Sequence, residues 1–301
     1  MQRSESVRKE AKFIPKGESV RKEAKYMIFQ EAEIELLNDK AKQIRRDIVE
    51  MIYKVQSGHI GGSLSIVEIL VSLYYECMNI NPDNPVWEDR DRFVLSKGHT
   101  APALYAILSD RGFYPREYLL TSFRRIDSKL QGHPDMKKTP GVDMTSGSLG
   151  IGLSAACGMA LGARIKNKPF RVYTIIGDGE TNEGQIWEAA STAAHYKLDH
   201  LTAFVDCNKL QNDGDTKDIK EMEPMKDKWQ AFGWNALEID GHNIHQVLEA
   251  ISSAWKCHGK PTVIICRTVK GRGVSFMENS ITFHGSSPND EQFKQAMKEL
   301  T

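Results

Sequence analysis

The alternation of short apolar runs with longer segments of helical periodicity constrains the fold of this chain more than any other feature. Runs typical of β-strands lie at residues 92–95, 171–176, 201–205, 236–239 and 262–269. Helical patterns lie at residues 34–55, 101–108, 149–165, 185–195 and 244–255. Because strands joined by helices pair in parallel and are covered on both sides, we predict an α/β fold with a mostly parallel sheet and helices on both faces. Ligands of such sheets bind at the carboxyl ends of the strands.

The first 30 residues differ in character from the rest of the chain. The segment ESVRKEAK occurs at Glu5 to Lys12 and again at Glu18 to Lys25. Its high charge is typical of a solvated helix or a disordered arm, and a partner-binding arm is the alternative. We therefore divide the chain into a charged N-terminal extension, residues 1–30, and one domain, residues 31–301.

Charge and cysteine content narrow the functional classes. The 40 basic and 40 acidic residues cancel, so no net field favours nucleic acid or an anionic membrane. The 5 cysteines are scattered, include no CxxC pair and are odd in number, which favours a reducing compartment. The sequence contains no run of about 18 apolar residues, so it predicts no membrane-spanning helix. These features predict a cytoplasmic protein with neither nucleic acid nor a membrane as its partner.

Two predicted strand ends carry the polar residues best suited to binding a metal. Asp178 lies between Gly177 and Gly179 after one apolar run, and Asn208 follows the next run. Glycines and a helix start also let a backbone approach an anion closely, although this first segment alone is equally typical of a tight turn. As a pair, the two segments would place a carboxylate and an amide oxygen together. A backbone carbonyl, water and two diphosphate oxygens would complete the octahedral oxygen shell that Mg²⁺ prefers.

Gly177-Asp178-Gly179 with Asn208 resembles the thiamine-diphosphate signature, and the surrounding sequence resembles transketolase from about residue 31 onward. Further matching motifs are Ser57-Gly58-His59, Leu95-Ser96-Lys97-Gly98-His99, Gly132-His133-Pro134, Gly147-Ser148-Leu149-Gly150, Glu183-Gly184 and Phe283-His284-Gly285. The resemblance implies a thiamine-diphosphate-binding fold, of which this chain is the diphosphate-binding domain. The chain departs from many full-length members at Ile60, where they have proline.

The resemblance also implies a metal and a cofactor. Asp178, Asn208 and the main-chain carbonyl of Leu210 would hold Mg²⁺ or Ca²⁺. The residues implied to bind thiamine diphosphate are His99, Gly147, Leu149, Gly177, Gly179, Glu180, Glu183, Asn208 and His284. Of these, Gly147 and Leu149 would line the thiazolium ring, and Glu183 is expected one helical turn into the following helix.

Three histidines are the implied catalytic residues. His59 and His133 would bind the hydroxyls near the reacting carbonyl of a ketose, and His284 would lie close to both diphosphate and substrate. Histidine suits these tasks because its reference pKa of about 6.5 lets it donate or accept at neutral pH. The other histidines outside the motifs, at 195, 200, 242, 245 and 258, are interpreted as structural or exposed.

The resemblance further implies a second polypeptide. Full-length family members continue into a pyrimidine-binding domain with an activating glutamate, and then a third domain. This chain stops at Thr301 after a polar helical segment, which favours a natural two-chain enzyme over a truncated one. We therefore expect a transketolase N-terminal subunit that acts with a C-terminal partner subunit on sugar phosphates of the pentose phosphate pathway. Together they would transfer a two-carbon ketol group from a ketose phosphate to an aldose phosphate. A site shared between chains predicts a homodimer or an α2β2 heterotetramer.

Two other interpretations remain open. One is a different thiamine enzyme, such as 1-deoxyxylulose-5-phosphate synthase or the alpha subunit of a 2-oxo-acid dehydrogenase. The histidines at 59, 99 and 133 favour a sugar donor over an oxo acid. The other is a non-catalytic subunit that binds thiamine diphosphate and never meets an activating glutamate.

Overall fold

The computed structural model describes residues 30–301, so the repeats of the N-terminal extension lie outside the described residues. The first element is a long amphipathic helix, α1 (Glu31–Val55), which ends where Gln56 adopts a left-handed conformation with φ of 53°. The remaining elements are, in chain order, α2 (Ile60–Leu64), α3 (Val67–Ser72), a π-helical turn (Leu73–Cys77), β1 (Arg92–Leu95), a 3₁₀ turn (Gly98–Thr100), α4 (Ala101–Asp110), α5 (Arg116–Ser122), α6 (Ile151–Ile165), β2 (Val172–Gly177), a 3₁₀ turn (Gly179–Asn182), α7 (Gly184–His195), β3 (Leu201–Cys207), α8 (Thr216–Ile219), α9 (Met225–Ala231), β4 (Asn235–Asp240), α10 (Ile244–Lys256), β5 (Thr262–Arg267), a 3₁₀ turn (Thr282–His284) and α11 (Asp290–Glu299).

The five strands of the described residues form one parallel sheet in the order β1-β2-β3-β5-β4. In the pairing register, Gly177 at the end of β2 lies opposite Asp206 of β3. At the end of β3, Cys207 lies opposite Arg267 of β5. The carboxyl ends of the three central strands therefore lie side by side at one edge of the sheet.

Helices bury both faces of the sheet. On β2, Tyr173 and Ile175 join an apolar cluster with α1, α3, α4 and α10. The alternate residues Val172 and Ile176 join a second cluster with α6, α7 and α9. Successive side chains of a strand point to opposite faces, so the continuously apolar strands supply both clusters at once. Burial of this apolar surface is the main force that stabilises the layers.

The predicted α/β architecture, with a parallel sheet covered on both faces, is confirmed, and every predicted strand and helix is present. One strand end is wrong: the fifth apolar run predicts a strand to residue 269, whereas β5 ends at Arg267. There the chain leaves the sheet, and Thr268 directs its hydroxyl to Asp206. None of the helices within residues 30–301 is long and apolar enough to cross a membrane.

Candidate active site

The ends of β2 and β3 bring Asp178 and Asn208 to adjacent positions. Asp178 is 5% exposed, and its two carboxylate oxygens accept from the backbone N–H groups of Gly179 at 2.7 Å and Lys209 at 2.6 Å. Asn208 is 7% exposed, and its Oδ1 accepts from the Leu210 N–H at 3.1 Å. The three predicted metal ligands therefore lie in two segments joined by direct hydrogen bonds.

A fully buried carboxylate, Asp206, holds the amide of Asn208 in one orientation. Its Oδ2 accepts from the Asn208 Nδ2 at 3.0 Å, so the amide oxygen faces away from Asp206. Lys97 forms a buried ion pair with the same carboxylate, and Ser65 and Thr268 donate their hydroxyls to it. Although burial raises the pKa of Asp206, Lys97 and these donors outweigh it and hold the pKa below its ordinary value.

Asp178 lacks such a counter-ion, because no cationic side chain among residues 30–301 forms an ion pair with it. Burial, followed by the nearby charge of Asp206, raises the pKa of Asp178 to about 6. A buried carboxylate is stable in its charged form only when a cation or hydrogen bonds compensate it. The arrangement therefore favours a bound cation beside Asp178.

The turn after β2 differs from the prediction in the position of Glu183. Glu183 is not one turn into α7 but at its N-cap, because the 3₁₀ turn Gly179–Asn182 separates the strand from the helix. Glu180 is 3% exposed, and its carboxylate is hydrogen-bonded to protein donors, while its contact with the cofactor stays a prediction. One oxygen accepts from the Ser96 hydroxyl and the Gly150 N–H, and the other from the Gly177 N–H. We therefore assign the Glu180 side chain to holding these turns together.

Three histidine rings from separate parts of the chain form a cluster. The ring centroids of His59 and His99 are 5.1 Å apart, those of His59 and His284 5.3 Å, and those of His99 and His284 5.5 Å. Burial and neighbouring cations lower the pKa of His59 and of His284 to about 4, and the pKa of His99 is well below its ordinary value. At neutral pH the rings are therefore uncharged, and each offers one donor and one acceptor.

His133 lies on a more exposed loop beside Gly147 and Leu149, the residues predicted to line the thiazolium ring. Its ring packs against Gly147, where an added Cβ would lie 2.8 Å from His133 Cδ2. Gly147 has φ of 149°, and its backbone N lies 2.7 Å from where a Cβ of Gly98 would be. Leu149 is 38% exposed beside them. Glycines at 98 and 147 thus allow the loop of His99 and the loop of His133 to approach one another closely.

A buried lysine, Lys270, links the histidine cluster to the segment that carries the predicted metal ligands Asn208 and Leu210. Its Nζ donates to the carbonyls of Leu210 and Gln211, both at 3.3 Å, and contacts His284 Nδ1 at 2.8 Å. An ammonium can only donate, so His284 Nδ1 accepts and the ring proton lies on Nε2. Lys270 is 2% exposed and forms no ion pair with any described residue. Burial lowers its pKa to about 8.

These residues fit a divalent metal and a diphosphate. Asp178 is a buried carboxylate without a cationic partner among residues 30–301, and Lys270 is a buried ammonium without an anionic partner there. Both lie in one site, and a bound group of opposite charge would stabilise each of them. Five buried polar atoms near these loops also have no hydrogen-bond partner, namely His59 Nδ1, Arg124 Nε, Ser146 Oγ, Asn182 Oδ1 and Gln211 Nε2. No three His, Cys, Asp or Glu side chains of the described part cluster as a metal site. The predicted metal set does not need one, because it uses a single carboxylate with amide, carbonyl and diphosphate oxygens.

Sequence reasoning gave no role to four residues that shape this site. They are Lys97, Arg124, Asp206 and Lys270. A lysine close to the end of an apolar run was a usable signal, because Lys97 follows β1 after one residue and Lys270 follows the run at 262–269 directly, and lysine near a core is rarely buried without a partner. Arg124 lies in a polar segment whose packing only the folded chain determines.

Comparison with known proteins places these features in a family. Residues 37–301 match the family model described as transketolase, thiamine diphosphate binding domain. A relative, the 6-deoxy-6-sulfo-D-fructose transketolase subunit SqwG of Clostridium sp. (strain MSTE9), is 50% identical over 270 residues, which are 90% of this chain and 98% of the relative. A subunit of the apulose-4-phosphate transketolase of Phocaeicola vulgatus is 40% identical over 269 residues, 89% of this chain and 95% of the relative.

Solved structures agree with this assignment. The transketolase of Campylobacter jejuni superposes with a TM-score of 0.83 at 33% identity, covering 88% of this chain. This chain spans 43% of that longer protein. The matched motifs, the sheet and the family model together show that the chain belongs to the transketolase family, in which it corresponds to the thiamine diphosphate binding domain.

Proposed function

We propose that this chain is the diphosphate-binding subunit of a two-chain transketolase, and that with its partner it transfers a two-carbon ketol group from a ketose to an aldose. The observation that carries the proposal is the meeting of three features at one sheet edge. They are the Asp178 carboxylate, which has no cationic partner among residues 30–301, the Lys270 ammonium, which has no anionic partner there, and the cluster of neutral histidines. The first suits a divalent cation, the second a diphosphate, and the third the hydroxyls of a sugar.

Each group has a defined task in this proposal. Asp178, Asn208 and the Leu210 carbonyl hold Mg²⁺ or Ca²⁺, while Lys270, His99 and the Gly179 N–H bind the diphosphate. Thiamine diphosphate, when bound, supplies a carbon that accepts the two-carbon unit and stabilises its negative charge. His59 and His133 bind hydroxyls of the ketose. The His284 Nε2–H, fixed by the Lys270 contact at Nδ1, can donate a hydrogen bond to an oxygen of the substrate.

The partner chain supplies the pyrimidine-binding half and its activating glutamate. This is supported by the relatives named as transketolase subunits, of which the chain covers 98% and 95% of the length. A cofactor held between two chains also fits the exposed Leu149 and Ile151, 38% and 46% exposed, at the start of α6. We expect an α2β2 assembly, which mass photometry of the mixed subunits will test.

The test is reconstitution with purified subunits. The chain is assayed with xylulose 5-phosphate and ribose 5-phosphate, thiamine diphosphate and Mg²⁺, alone and with its partner subunit. We expect ketol transfer only from the pair. Activity of this chain alone would contradict the two-chain proposal, and an inactive pair would contradict the ketose phosphate as donor. Product analysis with pyruvate and glyceraldehyde 3-phosphate detects the synthase alternative.

A second candidate donor follows from the relative at 50% identity, whose name specifies 6-deoxy-6-sulfo-D-fructose. In this second proposal the two subunits transfer the same ketol group, but the end of the ketose remote from the reacting carbonyl carries a sulfonate instead of a phosphate. The comparison of kcat/KM for 6-deoxy-6-sulfo-D-fructose and fructose 6-phosphate decides between them. A sulfonate enzyme will favour the first donor, and a pentose phosphate enzyme the second.

A further inference from the structure

An arginine outside the matched motifs joins the two loops that carry His59 and His133. Arg124 Nη1 donates to the Ser57 hydroxyl at 2.9 Å, two residues before His59. Its other end lies against Gly132, the residue before His133, where an added Cβ would be 2.6 Å from Nη2 and 2.8 Å from Cζ. The guanidinium thus occupies the space between the two loops, and Gly132 has no side chain that would displace it.

The backbone around Arg124 fixes the guanidinium in this place. Arg124 has a left-handed conformation with φ of 53°, and its N–H donates to the Leu130 carbonyl at 2.8 Å. That hydrogen bond closes the loop that leads back to Gly132. A left-handed conformation is strained for a residue with a Cβ and unstrained for glycine. A glycine at this position therefore keeps the loop conformation and removes the arginine side chain, including its contact with the Phe123 ring.

Arg124 also places a positive charge, without an anionic partner among residues 30–301, near His59 and His133. No carboxylate among residues 30–301 forms an ion pair with it, and its buried Nε has no hydrogen-bond partner. Burial is the first cause that lowers the pKa of His59 and of His133, and the Arg124 charge is the next. The Arg124 charge therefore favours the neutral form of both rings, which offers sugar hydroxyls one donor and one acceptor.

Resting on the function proposed above, we propose that Arg124 is a positioning residue that holds His59 and His133 at one fixed separation for the ketose donor. It acts through the Ser57 and Gly132 loops and leaves the metal and diphosphate groups untouched. A misplacement of about 1 Å between binding groups can lower catalysis by about 10²-fold. Loss of the guanidinium should therefore lower kcat/KM for the ketose by about 10- to 100-fold, while the affinity for thiamine diphosphate stays unchanged.

The experiment compares R124G and R124Q with R125Q as a matched control, each in complex with the partner subunit. Arg125 is the neighbouring arginine, and its side chain is exposed. The measurements are kcat/KM for the ketose, the Kd of thiamine diphosphate with Mg²⁺, the melting temperature and hydrogen–deuterium exchange of the two histidine loops. S57A removes only the hydrogen bond between Arg124 and the His59 loop, so it should lower kcat/KM for the ketose less than the Arg124 variants do.

We expect both Arg124 variants to lose donor kcat/KM and to exchange faster in residues 56–62 and 130–134. The Kd should be unchanged, and R124G should melt no lower than R124Q because glycine is unstrained in the left-handed conformation. Millimolar methylguanidinium should restore part of the activity of R124G. Unchanged exchange in these loops, or a Kd that weakens in parallel with kcat/KM, would overturn the positioning role. If the wild-type pair transfers no ketol group from any ketose, the proposed function fails, and the exchange measurement still decides whether Arg124 holds the two loops.

Discussion

Substitution of Asp206 by asparagine should destabilise the chain more than any other isosteric change at the sheet edge. Asp206 is fully buried and accepts hydrogen bonds from Lys97, Ser65, Thr268 and Asn208. D206N preserves the volume but removes the negative charge. Lys97, whose side chain is 3% exposed, is then left as a buried cation with no anionic partner.

The expected magnitude follows from the burial of the pair. Removal of one partner of a buried ion pair costs about 3–5 kcal/mol, because the remaining charge is uncompensated. With a urea m-value of about 3 kcal/mol/M, D206N should lower the unfolding midpoint by about 1 to 2 M. The double variant D206N/K97M removes both charges and should recover about 1–3 kcal/mol of that loss, since contacting residues couple by this amount.

The assay is equilibrium urea unfolding at pH 7, followed by circular dichroism, with D83N as a control. Asp83 is exposed, so the same change of charge there should shift the free energy of unfolding by less than about 0.5 kcal/mol. A loss below about 1 kcal/mol in D206N would refute the assignment of Asp206 and Lys97 as a buried charge pair. A double variant whose loss equals the sum of the single losses would refute their coupling.

Three further predictions concern other parts of the fold and site. E68Q tests the buried Glu68 carboxylate: burial raises its pKa, but Arg45 and His242 outweigh this and hold it below the ordinary 4.5. The charged Glu68 carboxylate therefore stabilises the fold above pH 4.5, and this stabilisation is lost on acidification. In urea titrations the difference in free energy of unfolding between wild type and E68Q should narrow below pH 4.5. A difference that stays constant with pH would contradict this. G150A should lose about 1–3 kcal/mol because φ is 88° and the new Cβ would lie 2.8 Å from Glu183 Cβ. By contrast, an added Cβ at Gly158 would have no atom within 4 Å, so G158A should not lower the free energy of unfolding. Urea unfolding of both variants checks this comparison. H59A should lower kcat/KM for the ketose about 3- to 10-fold, the value of one neutral hydrogen bond, and an equal loss in thiamine diphosphate affinity would contradict a role in sugar binding.

The sequence predicted the position of the metal ligands because that prediction depends on local features. Asp178 and Asn208 each follow an apolar strand, and the carboxyl ends of neighbouring parallel strands meet at one edge. The pairing of Gly177 with Asp206 confirms that the two strands are neighbours. That Asp178 and Asn208 bind metal stays a prediction.

The contacts that complete the site were beyond sequence reasoning. Lys270 reaches the Leu210 carbonyl across 60 residues, and Arg124 reaches Ser57 across 67 residues. The first contact depends on the strand order, in which β5 lies between β3 and β4. The second depends on the packing of α1 against α5, and no local pattern specifies either arrangement. The misplacement of Glu183 has a local cause, because the helical pattern does not reveal the intervening 3₁₀ turn.

Direct measurement of thiamine diphosphate binding tests the central claim, that Asp178 and Asn208 bind a metal that holds the diphosphate. Equilibrium dialysis of the reconstituted pair should show uptake of thiamine diphosphate with Mg²⁺, and loss of that uptake in EDTA and in the D178N variant. Equal uptake in EDTA, or no uptake under any condition by a folded complex, would contradict the account.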